Sequence, residues 1–242
     1  MTDRPIPLKG CLKEMETRNT NQAGFSLLEL VIAMGITLSI VAVSSVLLAG
    51  SFNIRSRENR RTEAIAAAQH ALNAMSRDIS NAGFGLKRNG IVNQDSDASS
   101  IRIRANLNGF AGVPTSGTLT DQDEDIEYFL HKTDADENST RGDLMRYDVN
   151  TQQSRILVTN VEDFEIYYFS QKVSYTLDPD GGLILPTGTT EVDDQADTTY
   201  VVITILLKLD AVGTPGSPGY VPANKVQLAT DVALRNQNLA TY

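Results

Sequence analysis

Between Gly24 and Gly50 the chain reads G-FSLLELVIAMGITLSIVAVSSVLLAG, an apolar run interrupted by a single acid, Glu29. No charged residue occurs from Leu30 to Ile54. A helix rises ~1.5 Å per residue and needs about 20 mostly apolar residues to cross a bilayer, so this run is long enough to span one. A carboxylate placed centrally in such a helix costs roughly 2.5–3.5 kcal/mol on insertion scales. Glu29 therefore needs a positive partner. Cleavage between Gly24 and Phe25 would create one, the α-amino group of Phe25.

Gly24, Phe25, Ser26, Leu27, Leu28, Glu29 and Leu30, followed by the span, resemble the class III leader and methylation signal of type IV prepilins and pseudopilins. The resemblance implies cleavage after Gly24 by a prepilin peptidase and N-methylation of Phe25. It also implies that Glu29 pairs with the terminal amine of a neighbouring subunit as helices stack into a filament. Two other readings explain the span alone. An ordinary signal anchor assigns no role to Gly24-Phe25 or Glu29. A cleaved secretory signal peptide has an apolar region of about 7–15 residues, shorter than this run, although Ala49-Gly50-Ser51 is a passable small tripeptide.

Positive charge does not orient the span, because Arg4, Lys9, Lys13 and Arg18 precede it while Arg55, Arg57, Arg60 and Arg61 follow it. The peptidase motif orients it, with the leader in the cytoplasm. The four following arginines are placed for lipid headgroups or filament neighbours, or are simply solvated. Met15 is an alternative start that leaves a short leader. Cys11 is the single cysteine and lies in that leader, with no apolar stretch before it to make a lipidation signal. Removing the leader removes every thiol, unlike many major pilins, which close a C-terminal loop with a disulfide.

Periodicity carries the helix past the span. Ile65, Ala68, Leu72, Met75 and Ile79 recur at spacings of three and four, with Glu63, Gln69, Asn73, Arg77 and Asp78 on the remainder. No proline interrupts Phe25 to Asn81, and Gly83 with Gly85 supplies the stop. Within the span, Gly35, Ser39, Ala42, Ser45 and Ala49 fall on one face, where small residues let helices approach in lipid; such residues are also common in any membrane helix.

After Gly83 the period changes to two. Ile101-Arg102-Ile103-Arg104 alternates, and Val161–Phe169 does so in part. Further strands are expected at Asp125–His131, Asp143–Val149, Arg155–Asn160, Thr198–Asp210 and Val226–Arg235. Residues 200–207 are apolar on both faces and are placed centrally in the sheet. Residues 93–100, 111–124, 132–142 and 176–197 look like loops, and Gly213–Gly219 like the loop of a final hairpin. The order of these segments, with Arg77–Phe84 at the helix end, resembles minor pilins of the PilW type and the J-type pseudopilins of type II secretion.

The expected organisation is a leader at 1–24, a transmembrane or filament-core half-helix at 25–52, an amphipathic half-helix at 53–82 and a β-rich periplasmic head at 83–242. The fold class is α+β, type IV pilin-like: a long N-terminal helix packed on an antiparallel β-rich head. The resemblance implies an inner-membrane, single-pass protein that enters a filament. Its partners would be prepilin peptidase, other minor and major pilins, the pilus assembly platform and inner-membrane lipid. A secretion pseudopilin is the alternative within the class, and a membrane-anchored periplasmic binding or sensor domain the alternative outside it.

Little in the sequence points to catalysis or a cofactor. The net charge of −9 argues against nucleic acid as a partner, since phosphate contact needs clustered Lys and Arg. His70 and His131 are far apart, and there is no nucleophile elbow, P-loop or zinc spacing. Gly83, Gly85 and Gly90 lack the preceding strand of a dinucleotide site. Asp121, Asp123 and Asp125 offer alternating carboxylates of the kind calcium takes from a loop, without an EF-hand's central glycine and terminal glutamate. Asp134/Asp136, Asp178/Asp180 and Asp193/Asp194/Asp197 are acidic without a pattern.

Overall fold

A continuous helix, α1 (Leu27–Asn81), carries two different surfaces because its apolar residues change spacing along its length. Up to Ile54 they occur all round, and beyond it they narrow to one stripe. The computed structural model describes residues 24–107, 119–132, 141–178, 181–217 and 220–236. The leader up to residue 23 and the acidic pair Asp134/Asp136 lie outside them. The chain divides into a unit Met1–Val46 and a unit Leu47–Tyr242.

In the first unit α1 starts at Leu27, two residues after the expected Phe25, and Leu30 N–H donates to the Ser26 carbonyl at 3.1 Å. The second unit is a six-stranded antiparallel sheet with the latter part of α1. Its strands are β1 (Ser100–Arg104), β2 (Asp125–Lys132), β3 (Gly142–Asp148), β4 (Gln153–Phe169), β7 (Tyr200–Leu209) and β8 (Asn224–Ala233), paired in that order. A two-residue hairpin, β5 (Thr176–Leu177) and β6 (Leu183–Ile184), forms within the segment expected to be loop. α+β is therefore the fold class.

Ala68, Ala71, Leu72, Met75 and Ile79 of α1 share one buried cluster with alternate residues of the sheet, among them Tyr128, Leu144, Phe164, Ile166, Val201, Ile203, Ile205 and Leu207. Alternation in each strand sends every second side chain to this face. Ile65 is only half-buried.

The strand Tyr200–Leu209 is buried on both faces as its sequence implies, but it lies second from the edge, not at the centre. The segment after β4 covers its other face: Val173, Tyr175, Leu183 and Leu185 pack on Phe169, Tyr200 and Val202. Loop side chains do here what a second layer does in a parallel sheet.

β4 merges two expected strands into one of 17 residues. Its first half pairs with β3 and its second with β7, and the register breaks at three places between Ile156 and Asp163. Asn160 sits at φ 59°, a left-handed conformation asparagine tolerates. Each break is a bulge that bends the strand as it changes partners.

The turn after α1 depends on Gly90, at φ 79°. Arg104 N–H donates to its carbonyl at 2.7 Å, and Gly83 N–H donates to the Arg104 carbonyl at 2.9 Å. A Cβ on Gly90 would lie 2.1 Å from the Gly83 nitrogen and 2.3 Å from the Arg104 oxygen, both backbone atoms that cannot yield. Gly90→Ala is expected to lower the melting temperature more than any exposed Gly→Ala change. Met75→Ala, at a fully buried site, is expected to cost about 2–5 kcal/mol in urea unfolding of the full chain in detergent. A loss under about 1 kcal/mol would mean that α1 is not packed as described.

Candidate functional site

Gly24, Phe25 and Ser26 form a non-helical approach to α1, and Phe25 is 85% exposed. A Cβ built on Gly24 meets nothing within 4 Å. Among the described residues nothing crowds the bond between Gly24 and Phe25. Glu29 lies in the first helical turn, where the unpaired N–H groups favour a negative charge. It is exposed and makes no ion pair with another described residue.

The surface beyond Glu29 is apolar and bare. Leu30, Val31, Ile32, Met34, Ile36 and Leu38 are all more than half exposed, and similar residues follow as far as Ile54. The helix is long and apolar enough to cross a membrane. Three of its hydroxyls bond within the helix: Thr37 donates to the Ala33 carbonyl at 2.7 Å, Ser39 to Gly35 at 2.8 Å and Ser45 to Val41 at 2.8 Å. Closed in this way, these three present little polarity to their surroundings.

The structure does not gather Asp121, Asp123 and Asp125 into a cation site. Asp125 accepts from Arg102 at 2.7 and 2.8 Å and from Arg104 at 2.8 Å. Asp123, at φ 66°, is held by Arg146 at 2.6 Å. The Asp121 N–H donates to Glu124, whose other carboxylate oxygen takes the Leu107 N–H at 3.0 Å. Among the described residues no three His, Cys, Asp or Glu side chains converge to hold a metal ion. These acids fold a turn. His70 and His131 are both exposed, on α1 and on β2.

A network that sequence reading missed fastens the end of α1. Asp78, assigned to the polar face, has a side chain only 11% exposed. Tyr128 Oη donates to its Oδ2 at 2.7 Å, and Arg146 reaches both Tyr128 Oη at 3.3 Å and Asp78 Oδ2 at 3.5 Å. Burial first, then the Asp78 charge, raises the Tyr128 phenol well above its ordinary value, so it stays a donor. The available signal is positional. Asp78 follows Met75 by three residues and precedes Ile79, which puts it at the rim of the buried stripe.

At Asp125, burial pushes the carboxyl up, but hydrogen bonds and charge from Arg102 and Arg104 outweigh this and hold it below the usual carboxylate range. Arg102 is shifted upward by the same contact, its hydrogen bond to Asp125 leading. Asp148 is likewise lowered despite burial, by N–H bonds from Asp123, Thr151 and Asn150. No family model and no curated protein matches the chain.

A carboxylate lowered by folding contributes stability above its unfolded value of about 3.9 and loses it as pH falls through the folded value. The head should therefore weaken below about pH 4. Asp125→Asn is expected to cost about 2 kcal/mol at pH 7 and to flatten that acid loss. Urea unfolding of both proteins at neutral and acid pH measures it, and an equally steep loss in the variant would count against the assignment.

Proposed function

We propose that this chain is a minor pilin, made as a precursor, cut between Gly24 and Phe25, and assembled into or priming a type IV pilus. One observation carries the reading: a Gly-Phe bond that no described residue crowds lies directly before a helix with an acid in its first turn and a bare apolar surface beyond. That helix continues into an α+β head. In this reading the span holds the precursor in the inner membrane with its head in the periplasm.

Assembly is the mechanism. Apolar helices bundle side by side and cover the surface that α1 leaves exposed. Glu29 meets the methylated amine of Phe25 on a neighbour. An uncompensated carboxylate in lipid is costly, so the pair favours a neighbour at one stagger over others. No bond is made or broken by the protein itself, and the head needs no cofactor.

Glu29→Ala is expected to insert and be processed normally while its recruitment into filaments falls several-fold. Quantitative immunoblotting of sheared filaments against membrane fractions reads this, and normal incorporation would defeat the pairing. Mass spectrometry of the mature N-terminus, in cells with and without the peptidase, decides the class. Methyl-Phe25 is expected; an intact leader would favour a membrane-anchored periplasmic binding or sensor domain. A secretion defect in place of a pilus defect would mark a type II pseudopilin.

A further inference from the structure

The change of partner along β4 leaves a fork. Pairing between β4 and β7 ends at Val161 with Leu207, yet β4 extends back to Gln153 and β7 forward to Leu209. Residues 153–160 are bonded on one side only, to β3, and Lys208 and Leu209 on one side only, to β8. Among the described residues no other backbone bond fills the gap. A cavity of about 570 Å³ opens there, lined by Ile156 to Asn160, by Leu207 to Asp210 and by α1 between Arg57 and Ala67.

Its chemistry has three parts. The backbone edge offers unpaired N–H and C=O groups, in regular strand geometry from Gln153 to Ile156 and bulged beyond it, a template for another strand. The floor is apolar: Ala64, Ala67 and Leu207, with Ile156 51% exposed at the rim. The walls carry Arg57, Arg60 and Lys208 against Glu63 and Asp210, and Asp210 is already held by Arg141 at 2.7 Å. Cations exceed the acids left to neutralise them. Arg57 Nε is shut off from solvent and has no acceptor among the described residues.

We propose that this fork binds an extended segment of another protein, alternating apolar and acidic residues, which adds as a strand to β4. Apolar side chains on the face turned to α1 meet the floor, and acids on the opposite face reach Lys208, which points away from Leu207 and α1. Main-chain bonds supply affinity and the alternating side chains supply selectivity, as in other strand-addition modes. The inference stands whether or not the chain is a filament subunit.

The test uses the full chain in detergent micelles and a labelled, end-capped peptide of about ten residues alternating valine and glutamate, enough to run along the open edge. Saturable binding by fluorescence anisotropy is expected, with new hydrogen-exchange protection of amides in 153–160. Ile156→Asp, at an exposed site, and Lys208→Gln are each expected to weaken binding by roughly tenfold or more. A peptide alternating valine and lysine should not bind. Absence of binding by the glutamate peptide, equal binding by the lysine peptide, or protection at 224–233 instead would overturn the proposal. So would concentration-dependent protection of 153–160 without peptide, which would give the fork to a second copy of this chain.

Discussion

The stripe Ala68, Ala71, Leu72, Met75 and Ile79 is the contact on which the head depends. Two alanines at its start let the α1 backbone come close to the sheet, and three larger residues then fill the space toward its end. Without α1 the alternate residues of β4 and β7 would form a largely exposed apolar face, because the segment after β4 packs mainly on the opposite side and meets this cluster through Val192. The Asp78, Tyr128 and Arg146 network sets the stripe in register by tying one side of α1 to a cross-strand pair. Apolar burial supplies the larger share of attraction, and the charges supply position.

The same helix imposes a second constraint, since an apolar surface as long as that of Leu27 to Ile54 cannot remain in water. Lipid or other helices must cover it. In the proposed function Gly24, Phe25 and Glu29 stand where such coverage begins, and the Phe25 amine and Glu29 offer a charge pair that depends on which neighbour arrives. In the proposed function, insertion and assembly are successive answers to one solvent problem.

How far the sequence carries can be judged element by element. Spacings of three and four placed Leu72, Met75 and Ile79 in the core, alternation marked β1, and the strands expected at Asp125–His131 and Asp143–Val149 match β2 and β3 nearly to the residue. Periodicity is a local signal, and these elements obey it. It failed where tertiary contacts decide. Nothing in residues 200–207 tells whether a neighbouring strand or a loop buries the second face. Nothing in Val161-Glu162-Asp163 announces that β4 changes partner there. The acids at 121–125 show the same limit, because their spacing could not reveal that Arg102, Arg104 and Arg146 arrive from elsewhere in the chain to pair with Asp125 and Asp123.

One modest contact governs the order in which the head can be completed. The side-chain amide of Asn236 donates to the carbonyls of Asn81 and Ala82, groups separated from it by 155 and 154 positions. These carbonyls belong to the end of α1, where the helix leaves acceptors unmatched. During synthesis α1 emerges first, yet its terminus is finished only when the residues after β8 arrive. Closure across so long a separation slows the last step of folding. The rear of the helix can thus stay unlatched until the whole head has been made.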